Sequence, residues 1–226
     1  MIHIFEFAAA DRALPLASFS NAWIEAHTGL VRAHPEIDRA SVVVRESPSE
    51  GALYDAVVEL WLPSVEAYEA LREARRGDPE QRAMREQLAG DPLVLMTTDV
   101  PIFHNHSISE EDRLLKLFYV IKRAAGHSLA HFSRYYQHVH TLYSTRPPGQ
   151  RDYVQSHRID GADPGYDGVS SIWFDSADDL SLYLGSAELQ RGVEDCAQFL
   201  DMGSFFDLVG VEHRLRGALA QEGVRS

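Results

Sequence analysis

Residues 19–28 return 113 positions later as residues 132–141, with four of the ten positions identical and Trp23 answered by Tyr136. At an offset of 112, Tyr54, Asp55 and Val57 meet Tyr166, Asp167 and Val169, Trp61 meets Trp173, and Ser64 meets Ser176. Two blocks of matches in one order and at nearly one offset mark a duplicated unit, and a duplication limits the fold to what two copies can build. The copies span about 1–103 and 113–216. Between them lies the polar segment 104–112, and a small polar tail, 217–226, ends the chain.

Each copy predicts the same succession. Residues 1–7 and 114–121 are apolar and β-prone. Helices come next, over 15–33 and 129–143; Pro15 suits a first turn, and Ser128 is an N-cap after the breaker Gly126. Strands near 38–46 and 54–62 correspond to 151–159 and 167–174, with Gly- and Pro-rich turns between them. Broken helical stretches cover 64–89 and 176–200, and closing strands run over 93–103 and 205–213. The order is βαββαβ twice, the split βαβ pattern of ferredoxin-like units. Such a unit leaves one sheet face bare, and a bare apolar face must be covered. The expectation is therefore an α+β fold in which two antiparallel sheets pack into a barrel, within one chain or between two.

Composition removes several function classes. Against 34 Asp+Glu the 226-residue chain has 21 Lys+Arg, a formal charge of −13. That balance repels phosphate backbones and anionic lipid, so neither nucleic acid nor a membrane is an expected partner. A single cysteine, Cys196, allows no internal disulfide. No apolar run is long enough to span a bilayer, and the N-terminal residues read as a strand rather than a signal peptide. A cytoplasmic protein is expected.

The chemistry concentrates on the first helix of each copy. Phe19, Trp23, His27 and Leu30 share one helical face, as do Leu129, Phe132, Tyr136, Val139, His140 and Tyr143. The repeated histidine thus sits on the apolar, sheet-facing stripe, where it is either a hydrogen-bonded core residue or an acid/base group near neutral pH. The second copy adds the hydroxyls of Tyr136 and Tyr143. Trp61, Trp173, Trp23 and Phe132 are candidate pocket walls. Asp55 and Asp167 recur at a strand entrance, as turn residues or as partners of a histidine. His127, His131, His138 and His140 crowd one segment, but Ser128 as N-cap leaves His127 outside the helix and His131 and His138 lie on the face opposite His140, so no metal site is expected. No nucleotide, nucleophile-elbow or zinc-protease motif is present.

The run from Lys116 through Lys122 and Gly126 to Phe132, then Tyr136 and His140, and later Tyr166, Asp167, Gly168 and Ile172, Trp173, Phe174, resembles the EthD family. The resemblance spans nearly the whole second copy. The first copy keeps Phe19, Trp23 and His27 but lacks the lysine and the glycine turn. It implies a dimeric α+β barrel, so a homodimer is one assembly this allows, and it matches the family histidine to His140, with His27 its duplicate. Relatives of that kind include polyketide cyclases, isomerases, cofactor-free monooxygenases and haem-binding enzymes. Two functions are open. In the first, an enzyme without a cofactor uses His140, and in its degenerate copy His27, to move a proton on a small, largely apolar carbonyl or polyketide-like substrate. Tyr136 or Tyr143 then holds the enolate oxygen, and Trp173, Phe132, Trp23, Trp61 and Asp167 contact the substrate; the outcome is cyclisation, dehydration or isomerisation. In the second, the barrel is a non-catalytic small-ligand or haem-binding protein, with a histidine structural or axial to iron.

Overall fold

The computed structural model describes residues 1–104, 113–144, 146–159, 161 and 164–217. The expected linker beyond His104 and the tail beyond Gly217 lie outside the described residues. Elements keep closely to the expected order: β1 (Ile2–Ala8), α1 (Leu16–Ala33), β2 (Arg39–Val44), β3 (Ala56–Leu62), α2 (Val65–Gly77), α3 (Pro79–Arg85) and β4 (Leu93–His104). The second half runs β5 (Leu115–Ile121), α4 (Leu129–Tyr135), a π turn (Tyr136–His140), α5 (Thr141–Ser144), β6 (Asp152–Arg158), β7 (Gly168–Phe174), α6 (Ala177–Leu184), α7 (Ala187–Cys196) and β8 (Phe206–Arg216). Ser128 caps α4, its hydroxyl accepting the His131 N–H at 3.1 Å.

The strands close into one antiparallel barrel in the order β1-β3-β2-β8-β5-β7-β6-β4. Closure runs through strand edges rather than by face-to-face packing. Edge strand β2 hydrogen-bonds β8, and β4 hydrogen-bonds β6. Both seams between the halves contain a register shift, at Ala40/Ser41 and at Pro101/Phe103. A bulge bends and twists a strand, which is what closure demands, and Pro101 could not have donated to the ladder in any case. Gly210 is needed at the first seam, because a Cβ there would sit 2.2 Å from the Val44 carbonyl oxygen. The barrel thus needs no second chain to complete it.

Side chains alternate across the barrel wall. Outward residues of the first half (Ile4, Val42, Val58, Leu60) pack under α1 and α2 with Phe19, Trp23 and Leu71. The inside has two layers. One is apolar, with Phe5, Phe7, Val57, Phe118, Val169 and Leu208. The other is ionic. Lys116, fully buried, donates to both Glu59 oxygens at 2.7 and 2.6 Å and to Glu212 at 3.3 Å. His3 reaches Asp99 at 2.9 Å and Glu59 at 3.4 Å.

Candidate functional site

In the second half, α4, the π turn, α5 and α7 cover the outer face of β5, β6 and β7, and a cavity of about 230 Å³ remains between them. The π turn sets its chemistry. Gln155 of β6 donates at 3.0 Å to the Tyr136 carbonyl and at 3.0 Å to the Tyr153 hydroxyl. A side chain inserted beside the helical ladder is a recognised cause of such distortion, and π turns gather at functional sites. The extra residue in this turn keeps Tyr136 and His140 on the cavity wall but rotates the residues after it. Tyr143, expected on the same face, is 45% exposed, and Ser144 lines the cavity instead.

His140 is 6% exposed, and its Nδ1 lies 2.8 Å from Asp195 Oδ2 of α7. Tyr135 donates to the other Asp195 oxygen at 2.8 Å, so the carboxylate is clamped from two sides. With Nδ1 committed to Asp195, Nε2 is the ring nitrogen left for a ligand. Burial pushes the His140 pKa below 6.5 despite the opposing pull of Asp195. The imidazole is therefore neutral at pH 7, the form a base requires. On the same cavity wall, the Tyr136 hydroxyl shares a 2.6 Å hydrogen bond with Ser170. Burial raises the Tyr136 pKa well above 10 and pushes that of Tyr119 up to about 12, so these phenols stay protonated. Phe199 packs 5.1 Å from the His140 ring and closes the floor. Gly168 allows this layering, since a Cβ there would press on Phe132 and Tyr136 at 3.3 and 3.4 Å.

The other expected site residues are distributed elsewhere. Phe132 is fully buried, packed with tilted rings against Tyr136 and Phe199, and does not line the cavity. Trp173 and Trp61 point into the barrel, where their Nε1 groups donate to Glu212 at 3.2 Å and Asp99 at 2.9 Å. Strand alternation puts them on the face opposite His140, and Ser170 and Ile172 take the place on the cavity wall that was expected of Trp173. Asp167 accepts the Arg123 N–H at 2.9 Å and pairs with the Arg123 and Arg158 guanidiniums; Asp55 accepts the Ala10 N–H in the same way, so both order a strand entrance. His27 is fully buried, with Nδ1 2.8 Å from the Trp23 carbonyl and Nε2 3.5 Å from Arg75. Burial first, then Arg75, lowers its pKa to about 4. Trp23 lines a different cavity, in the first half. Asp195, Tyr153, Ser170 and Phe199 were missed by sequence reasoning. The only trace of Asp195 is its place within an amphipathic stretch, which does not single it out.

Residues 124–203 match the EthD domain model, so the resemblance holds across most of the second half. No curated protein matches the chain. Among solved structures the chain is similar to an anthrone oxidase-like protein, at 14% identity and TM-score 0.67, over 97% of this chain and 96% of that one. It is similar to a monooxygenase-like protein of Lactobacillus acidophilus NCFM, at 11% identity and TM-score 0.54, over 96% and 97%. It is also similar to a mutant chlorite dismutase of Candidatus Nitrospira defluvii in complex with cyanide, at 15% identity and TM-score 0.54, over 95% and 91%. These likenesses establish the α+β barrel.

They also correct one expectation. A protein working without a cofactor was expected, yet chlorite dismutases recur in this fold, one of them with cyanide, a ligand of metal ions, beside monooxygenase-like proteins. The fold therefore gives no ground for excluding a cofactor. Haem can be tested against the residues present. A carboxylate-held histidine with Nε2 free suits an axial ligand. The cavity does not suit the macrocycle: at about 230 Å³ it falls below the roughly 300–1,000 Å³ that drug-sized ligands occupy, and among the described residues no lysine or arginine lines it to meet propionates. Haem does not fit this cavity. Among the described residues no group of three His, Cys, Asp or Glu side chains could hold a metal ion, and no helix is long and apolar enough to cross a membrane.

Proposed function

We propose that the second-half cavity is the active site of an enzyme acting on a small, largely apolar carbonyl compound, with His140 as the base that removes a proton from the carbon next to the carbonyl. The observation that carries this reading is the His140–Asp195 pair at the wall of an apolar cavity. The carboxylate fixes the tautomer with Nδ1 protonated, so Nε2 faces the substrate as a free base and the imidazolium formed on proton uptake is stabilised. The protonated Tyr136 hydroxyl, held by Ser170, supplies a donor for the developing enolate oxygen. The enolate then attacks a second carbonyl of the same molecule, expels a β-hydroxyl that leaves as water with the proton from His140, or takes that proton back at another carbon. The anthrone oxidase-like neighbour supports the substrate class, an anthrone being a ring ketone. His27, tied to a backbone carbonyl and to Arg75, is assigned no such role. We read residues 1–103 and 113–216 as two ferredoxin-like copies of which only the second kept this site; the repeated element order supports that division.

The test is α-proton exchange in deuterated water, monitored by NMR for a panel of aryl ketones and 1,3-diketones. A positioned histidine contributes roughly 10²–10⁴ in rate. Wild type is expected to accelerate exchange of at least one compound, with His140→Ala close to buffer. Equal acceleration by wild type and His140→Ala refutes the assignment.

A further inference from the structure

The first half carries a second cavity between its helices and the sheet, of about 710 Å³, and its chemistry is the reverse of that around His140. Four arginines line it, Arg72, Arg75, Arg76 and Arg85, against two acids, Glu6 and Asp91. Glu69 and Glu73 pair with two of these arginines, so charge is balanced here where the whole chain carries −13. Arg75 is buried and engaged, donating to Glu6 at 2.6 Å and to Gln81 at 3.0 Å. Arg72 and Arg76 pair with Glu69 and Glu73 in exposed i,i+3 pairs of little energetic weight, and Arg72 also lies 5.8 Å above the Tyr68 ring. Arg85 donates to the Arg75 carbonyl at 3.3 Å. A guanidinium has five N–H donors, so each of these three keeps donors for a ligand.

A second observation is independent of charge. Trp23 is 2% exposed, lines the same cavity, and its Nε1 donor has no acceptor. The other two tryptophans each give that proton to a carboxylate. Buried donors are nearly always paired, so this enclosed indole N–H, on a residue that lines the cavity, marks a wall that is incomplete without an acceptor. The indole and the cations belong to one wall: Trp23 lies 4.2 Å from the His27 ring, whose Nε2 is 3.5 Å from Arg75. Met84 and Leu88 provide an apolar surface in the same space. Glu6 and Asp91 oppose a ligand with more than one negative charge.

We propose that this cavity binds a small, partly apolar monocarboxylic acid, its carboxylate accepting from the arginines beside Trp23, its body resting on Met84 and Leu88. The site is separate from the His140 cavity and does not depend on the function assigned there. The two clefts of the duplicated chain have then diverged, one for a neutral apolar compound and one for an acid.

The experiment titrates the full-length ¹⁵N-labelled protein with benzoate, phenylacetate and 2-naphthoate, with benzyl alcohol as neutral comparator and inorganic phosphate as a bare anion. Three tryptophans give three indole N–H resonances, and Trp23→Phe assigns the relevant one. At least one carboxylate is expected to move the Trp23 resonance downfield with a Kd of about 0.1–5 mM. Benzyl alcohol and phosphate are expected to leave it in place. The double variant Arg72→Gln/Arg85→Gln, checked for native circular dichroism, is expected to weaken binding at least tenfold, about 1.4 kcal/mol. The proposal is overturned if no carboxylate moves the resonance, if the alcohol or phosphate moves it equally, or if the folded double variant binds like wild type.

Discussion

Lys116→Met isolates the ionic layer inside the barrel. Methionine keeps the length and apolar stem of lysine but removes its charge. The Lys116 ammonium is fully buried, lies within 2.7 Å of both Glu59 oxygens, and sits 4.0 Å above the Trp173 ring. Burial disfavours the Glu59 carboxylate, and Lys116 is the first of the charges that keep its pKa below the ordinary value; His3 helps. Without Lys116, Glu59 is left with His3 at 3.4 Å and Glu212 with Arg214 at 3.0 Å. Removing one partner of a buried pair costs about 3–5 kcal/mol, because the remaining charge is left uncompensated. For a chain of this size 1 kcal/mol moves Tm by about 2–4 °C, so a fall of about 6–20 °C is expected. Replacing both members, Lys116→Met with Glu59→Gln, removes the stranded charge and should recover much of the loss. Thermal and urea unfolding by circular dichroism read both variants. A single variant within about 1 kcal/mol of wild type, or a double variant whose loss equals the sum of the two single losses, refutes the reasoning.

Four further outcomes are expected. The His3 pKa is raised, Asp99 and Glu59 outweighing burial, so His3 adds stability that is full below pH 6.5 and is lost as pH rises through its higher folded value; the urea midpoint of wild type should fall over that window while that of His3→Gln stays flatter. His27 behaves oppositely: its pKa of about 4 means that only the unfolded chain takes up the proton between pH 6.5 and 4, costing about 3 kcal/mol by pH 4, and His27→Gln should unfold less steeply in acid. Asp195→Asn should move the His140 pKa further below 6.5 in an NMR titration, since Asp195 is the group opposing the effect of burial; an upward move contradicts the pair. Gly210→Ala forces a Cβ against the Val44 carbonyl at the seam between halves and should destabilise by about 1–3 kcal/mol in urea unfolding.

Much of the fold could be read in the chain because its signals are local. Alternation marked the strands, Ser128 and Gly126 marked a helix start, and residues that match at offsets of 112 and 113 gave several of these signals twice. The site was legible only where one helix face reports it. His140 and Tyr136 lie on one stripe, so their shared face is given by period alone. The π turn is not visible in that period, because it depends on Gln155 arriving from β6, and the face of Tyr143 was misread for that reason. Trp173 carries a face label but no sign saying which face holds the helices.

The amino-acid sequence alone therefore determined the repeated order of strands and helices, the apolar faces, and the presence of a histidine on each first helix. These depend on neighbours within a few residues, and periodicity records such neighbours. The tertiary structure decided that the barrel closes within one chain, through edge bonds between residues far apart, such as Val44 and Val211. It also decided that the two histidines differ. Asp195 reaches His140 across 55 positions, while Arg75 reaches His27 across 48, and one pairing holds a neutral imidazole beside an apolar cavity where the other sets one beside arginines. Contacts at that separation are selected by packing, and no local pattern in the sequence encodes them.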